Sequence, residues 1–375
     1  MASMPKTAHE DLHSEQGPLR EDRPDRAKNP TIKVEDLAWL EFEKPDLDAA
    51  ERFAHDFGLI TAYRDDAELH LRGTLGGSQC MIIRKGLASR FLGPAFRAAS
   101  TADLHRLARA TGASVEERLA PGGGTMVRLD DPSGMRLQVV AEVEQLPELQ
   151  HRAPLELNFG QVRRVNAPQR PTREPAWVER LGHVVLETPK FNRTLDWYQE
   201  HLGLIVSDFL FFPGQRDRGA TMAFIRCDRG ATPADHHTLA MHLGPSRRYV
   251  HSAYQVADLD AVATGGEYLK DRGYNRAWGI GRHIQGSQIF DYWRDPDSVM
   301  VEHFADGDMF DDTVEVGWTQ MSASGLAQWG PSVTANFLGA KPSAHMVRDL
   351  VAALRDDDNE FDIRRLVGLL KVATR

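Results

Sequence analysis

A chain of 375 residues exceeds what one hydrophobic core usually serves, so two compact domains or a duplicated set of modules is expected. A net charge of -9 argues against phosphate backbones and anionic membranes as partners, and no apolar run approaches the roughly 20 residues a spanning helix needs. Cys80 and Cys227 stand far apart and in no ligand-like spacing, which argues against a disulfide framework and suits a reducing cytoplasm.

Residues 1–32 are charged and proline-bearing with no apolar block, so they read as a disordered or extended arm, neither signal peptide nor anchor. From residue 33 the chain reads as structured. "LAWLEFEKPDLDAAERFAHDFGL" (37–59) predicts a short strand, a proline turn and an amphipathic helix closing at glycine. "GPAFRAASTADLHRLARATG" predicts a strand running into a second helix with an acidic start, and "LDDPSGMRLQVV" a turn feeding a last strand. This first domain is placed at 33–148 and is followed by a linker, 149–178, that contains the Pro- and Arg-rich "NAPQRPTREPAW".

The pattern then recurs over 179–310. "LGHVVLETPKFNRTLDWYQEHLGL" (181–204) lies on the first segment with Pro189 on Pro45 and His183 on Trp39. "RYVHSAYQVADLDAVATGG" lies on the second, with Asp258 on Asp103 and His251 on Phe96, and "WRDPDSVMVEHF" on the third, with Pro296 on Pro132 and Glu302 on Gln138. The fold class expected is therefore α+β, with two similar domains each built from two βαβββ modules. Residues 311–375 form an extension; its last part, 343–375, reads as two amphipathic helices that pack on the body or on another subunit rather than forming a catalytic lid. "WTQMSASGLAQWGP" (318–331) could border a site mouth, a point its sequence leaves open.

At the three matched positions the second half has His183, His251 and Glu302 where the first has Trp39, Phe96 and Gln138. Two imidazoles and one carboxylate on one side of an ion leave adjacent coordination positions open, the facial triad of non-haem iron(II) oxygenases. Strand alternation sorts the competitors. His303 points away from the face of Glu302, and Glu187, on the face of His183, lies four strand residues or roughly 13 Å further on.

"ADHHTLAMH" (234–242) places His237 on one face with Leu239 and Met241, and His236 and His242 on the other as solvated or backbone-bonded residues. Fourteen residues before His251, His237 reads as belonging to a hairpin strand beside the metal, an unligated imidazole able to move a proton. His283 and Tyr292 precede Glu302 by nineteen and ten residues and offer an imidazole and a phenol to a substrate oxygen.

"GRH", nine residues to the tyrosine of "FDYWRDP", then ten to a glutamate, resembles the signature of the type I extradiol ring-cleavage dioxygenases of the vicinal oxygen chelate superfamily. The resemblance covers roughly residues 33–310 and is stronger from 180 onward. It implies His183, His251 and Glu302 as ligands to Fe(II), with Mn(II) as an alternative, and His237, His283 and Tyr292 as catalytic residues. It implies O2 and a catechol as substrates and a muconic semialdehyde-type product; a homo-oligomer is expected on the general ground that even-numbered assemblies are common. Val250 replaces the histidine usual before the second ligand, and Trp278 stands where members that bind a substrate carboxylate can carry an arginine. The rival readings are a 4-hydroxyphenylpyruvate dioxygenase, a glyoxalase-like or isomerase member, which would need further ligands from the first half, and a metal-free protein that sequesters aromatic compounds.

Overall fold

The computed structural model describes residues 15–16, 23–339 and 344–372. The expected arm falls mostly outside these residues. Its described end lies against the helix Phe191–Leu202, where Thr31 N and Ile32 N donate to the carbonyls of Glu200 and His201.

Each predicted strand–proline–helix unit forms. In the first, the strand Val34–Lys44 turns at Pro45 into the helix Leu47–Phe57. Asp46 caps that helix by accepting from Ala49 N, and Gly58, at φ 105°, ends it in the left-handed conformation that glycine adopts without steric cost. Apolar residues spaced three and four apart turn Ala50, Phe53, Ala54 and Phe57 inward.

The first half is one sheet in the order Ile60–Arg64, Glu68–Arg72, Met81–Lys85, Val34–Lys44, Arg90–Ala98, Arg136–Ala141, Thr125–Asp130, Val115–Glu117. Each module keeps its first and last strands side by side and parallel, and the opening strands of the two modules pair antiparallel at the centre. The second half repeats this order with Leu204–Phe211, Met222–Cys227, Leu239–Leu243, Arg180–Thr188, Arg248–Gln255, Met300–Ala305, Ile289–Arg294 and Asn275–His283. Two strands of the extension lengthen it, Gly317–Gln320 beside Leu204–Phe211 and Ala327–Trp329 beside Asn275–His283. The α+β class with duplicated βαβββ modules and a helical extension is as expected; that extension also covers both edges of the second sheet, which would otherwise present unpaired backbone.

The register corrects one sequence match. His183 opposes Ala253 and Val185 opposes His251, just as Trp39 opposes Ala95 and Glu41 opposes Gly93. The counterpart of His251 is therefore Gly93, three residues before Phe96, whose ring is buried in the core. The error began at the helix start: the residue equivalent to the cap Asp258 is Ser100, whereas Asp103 sits inside the first turn and donates its N–H to Ser100 Oγ. Gly93 has φ +143°, and a Cβ there would overlap the carbonyl oxygen of Arg136, so no imidazole fits. Trp39 fills the first half's would-be centre, its indole Nε1 donating to Glu41 at 3.2 Å and the Arg118 guanidinium lying 4.8 Å above its ring.

One cluster of buried apolar side chains runs through both halves. Polar contacts pin the seam. His303 Nε2–H donates to the Phe57 carbonyl at 2.7 Å while the two rings stack, and Lys44 pairs with Asp295 and Asp297. Asp56 accepts from Tyr268 Oη at 2.9 Å, Tyr274 Oη at 2.8 Å and the Arg272 guanidinium. Asp56→Ala leaves two phenols and a cation without their acceptor, and a loss of about 2–4 kcal/mol is expected in urea unfolding, with Asp56→Asn intermediate.

Candidate metal centre and its surroundings

His183, His251 and Glu302 come from three strands adjacent in the sheet, Arg180–Thr188, Arg248–Gln255 and Met300–Ala305, and turn toward one point. Their ligand atoms lie within 4.8 Å of one another. His183 Nε2 is 3.5 Å and His251 Nε2 3.4 Å from Glu302 Oε2, without hydrogen-bond geometry. Glu302 is fully buried, yet neither of its oxygens has a hydrogen-bond partner, an arrangement that is costly unless a cation completes it. The donor set, two nitrogens and one carboxylate oxygen, suits a first-row divalent ion with positions left open. Burial opposes ionisation of Glu302, but His183, His251 and His283 hold its carboxyl well below the usual range. His303 points away, as expected, and Glu187 is engaged with Arg248 and Ser246 outside the centre.

Burial pushes His251 and His303 down to about 4. Both are neutral in the fold, whereas in the unfolded chain they protonate near pH 6.5. Between those values the unfolded chain binds more protons, so stability rises with pH. The metal-free protein is expected to lose on the order of 1.4 kcal/mol per group for each pH unit as pH falls from about 6.5 toward 4, read from urea midpoints.

His237 lies beside the centre, its ring 4.1 Å from that of His183, but it reaches this place differently from the expectation. The chain bends at 236–238, and the following strand, Leu239–Leu243, runs parallel to Arg180–Thr188 on the side opposite Arg248–Gln255. There is no hairpin between His237 and His251, and strand parity does not extend through the bend: Leu239 and Met241 enter the helix-side core. Burial first, then His183 and His236, keep the His237 imidazole well below its ordinary pKa and hence neutral. His236, expected to be solvated or backbone-bonded, is buried and contacts His237 and Asp208 through its ring. Its neighbourhood carried one overlooked signal: Asp208 is the sole charged residue of Leu204–Phe211, a strand buried along its whole length.

His283 and Tyr292 meet on the other flank. His283 Nδ1–H donates to the Leu326 carbonyl at 2.7 Å, so in the neutral ring Nε2 is left to accept from the Tyr292 hydroxyl at 2.8 Å. His283 Nε2 is 3.7 Å from Glu302 Oε1, and the Tyr292 ring stands edge-on to His251. Burial and the charge of Glu302 raise Tyr292 well above the usual phenol range, so it remains a donor. Trp278 stacks on Tyr292, and Phe337 packs against both rings.

The extension thus borders the site, settling what the sequence left open for 318–331. Leu326 supplies the carbonyl that fixes His283, and the Pro331 carbonyl accepts from Trp278 Nε1 at 2.9 Å. The helix Ile363–Val372 sets Leu369 and Val372 in a cluster with Val185, Phe224 and Val250, neighbours of the ligands and of His237. Its other side leaves Ile363, Val367 and Leu370 exposed.

A duplicated βαβββ fold with one half bearing a His/His/Glu centre defines a class, and the comparisons agree with it. Residues 180–303 match the model described as Glyoxalase/Bleomycin resistance protein/Dioxygenase superfamily. Metapyrocatechase 2 of Cupriavidus necator is 31% identical over 339 residues, 88% of this chain and 98% of that protein. The chain therefore belongs to the extradiol dioxygenase family of the vicinal oxygen chelate superfamily. Among solved structures, homoprotocatechuate 2,3-dioxygenase from Brevibacterium fuscum superposes with a TM-score of 0.68 at 18% identity, covering 84% of this chain and 95% of that one. A Mn(II)-bound glyoxalase from Novosphingobium aromaticivorans gives 0.67 at 23% identity, covering 81% and 94%. These two likenesses concern the fold.

Proposed function

We propose that this protein is an extradiol dioxygenase that opens a catechol-type ring beside its two hydroxyls with O2, giving a muconic semialdehyde-type product. The observation that carries this reading is the buried Glu302 carboxylate with both oxygens unpartnered between two imidazoles.

His183, His251 and Glu302 would hold Fe(II), or Mn(II) in its place. When bound, the ion supplies adjacent open positions for the diol and O2 and a path for electrons between them. The protein's own groups handle protons and orientation. Tyr292 and His283, joined by a 2.8 Å hydrogen bond, present a phenol donor and an imidazole beside the ligands, suited to bind a catechol hydroxyl and take its proton. His237, neutral on the opposite flank, can accept a proton and return it later as ring opening proceeds. Trp278, Phe290 and Phe337 wall the Tyr292 side with aromatic surface that excludes water from the reacting groups.

The rivals fit less well. A keto-acid-dependent oxygenase does not need the His283–Tyr292 pair or His237. A glyoxalase-like site would need ligands from the first half, where Trp39 and Gly93 supply none. A metal-free binding protein would bury the Glu302 carboxylate with neither oxygen hydrogen-bonded.

Among the described residues no helix is long and apolar enough to cross a membrane. A cytoplasmic setting agrees with the free, buried Cys80 and Cys227. A homo-oligomer would cover the exposed stripes Val347, Val351, Leu354 and Ile363, Val367, Leu370.

The test is anaerobic loading with Fe(II), then air and a panel of catechols, with 4-hydroxyphenylpyruvate run alongside. A yellow ring-opened product from a catechol is expected. Iron-loaded protein that turns over none of the catechols would overturn the reading.

A further inference from the structure

Behind His237 lies a chain of two further side chains. His236 Nε2 is 2.7 Å from Asp208 Oδ2, and His236 Nδ1 is 3.0 Å from His237 Nδ1. All three residues are buried, with exposures of 8% for Asp208, 2% for His236 and 3% for His237. The backbone between the rings is also held: Ser207 Oγ donates to the His236 carbonyl at 2.6 Å, and His236 N donates to the Asp308 carbonyl at 2.9 Å. Arg226 Nη1 in turn donates to Ser207 Oγ at 2.9 Å.

For neutral imidazoles this geometry determines where the ring hydrogens sit. A carboxylate can accept but not donate, so the hydrogen between Asp208 and His236 belongs to Nε2. In the neutral ring His236 Nδ1 then has a lone pair and must accept, so the hydrogen across the 3.0 Å gap belongs to His237 Nδ1. His237 Nε2 is left with a lone pair and no hydrogen-bond partner among the described residues, on a ring lying against His183.

We propose that Asp208 and His236 are positioning residues that impose one tautomer and one ring orientation on His237, so that its bare Nε2 is presented to the reacting molecules. The inference rests on the proposed function for the use of that nitrogen; the tautomer itself does not depend on it. It also accounts for a charged residue in an otherwise uncharged buried strand, where a carboxylate costs stability unless a donor is fixed against it. A merely structural pair would have no reason to control which nitrogen of a third ring carries hydrogen.

The test is long-range nitrogen–proton NMR of the imidazoles in metal-free protein, with the His237 signals assigned by their loss in His237→Phe. Wild type should show hydrogen on Nδ1 and a bare Nε2. Asp208→Asn offers an amide donor to His236, which should move the hydrogen of each ring and place one on His237 Nε2, while Asp208→Ala should leave both tautomers populated. In the iron-loaded Asp208→Asn protein, kcat on a catechol that wild type cleaves should fall about 10²–10⁴-fold with KM and iron content nearly unchanged, as for a carboxylate that sets a histidine tautomer. Hydrogen on Nε2 in wild type would overturn the proposal without any substitution. So would Asp208 variants whose His237 signals and kcat match wild type. If wild type cleaves no catechol but the tautomer behaves as described, the functional reading fails and the positioning stands.

Discussion

Glu302→Gln is expected to weaken iron binding by on the order of 10²–10³-fold, about 3–4 kcal/mol, while leaving the fold in place. The amide keeps the size of the carboxylate but removes the negative charge from a position where two neutral imidazoles are the other donors. The metal-free state should lose stability as well: the surrounding imidazoles favour the ionised carboxylate in the fold, so an amide in its place gives up that interaction and the urea midpoint should fall. Iron per chain after loading and buffer exchange, together with urea midpoints of the metal-free proteins, reads both effects. Unchanged iron content in the variant would count against the centre.

His237→Phe should retain iron and lose turnover by about 10²–10⁴-fold, the range for removing a positioned proton carrier. The new ring can occupy the space between His183 and Phe224, so the pocket's shape is preserved while the exchangeable proton is lost. Single-turnover kinetics with a catechol, beside iron analysis, separate the two properties. Iron lost along with activity would make His237 a ligand, and unaltered turnover would remove it from the proton chemistry.

The repeat was legible because the strand–proline–helix unit has strong local signals: Pro45 and Pro189 at the same offset, a glycine closing each helix, and matching turns at Pro132 and Pro296. His183 and Glu302 could be read against Trp39 and Gln138 because regular strands surround them, and the register keeps both pairs together. The match at His251 slipped by three residues because Asp103 resembles a cap in sequence, whereas Ser100 performs that role, its hydroxyl oxygen accepting from Asp103 N. His237 was assigned to the right neighbourhood with the wrong local structure, since the bend at 236–238 destroys the alternation on which the assignment relied. Nothing local in the sequence could show that Leu326 fixes His283, or that Leu369 and Val372 pack behind the ligand strands. Those contacts join segments 43 or more residues apart in the case of Leu326, and arise from where the extension crosses the sheet. Asp208 was the exception: a single acid in an apolar strand asks for a partner, and that partner is His236.

The most direct test of the central claim is anomalous diffraction at the iron edge from crystals loaded anaerobically with Fe(II). A single strong peak per chain is predicted within bonding distance of His183 Nε2, His251 Nε2 and a Glu302 carboxylate oxygen, with none beside Trp39 in the first half. A peak bound elsewhere, or loaded crystals with no iron between those three side chains, would contradict the account.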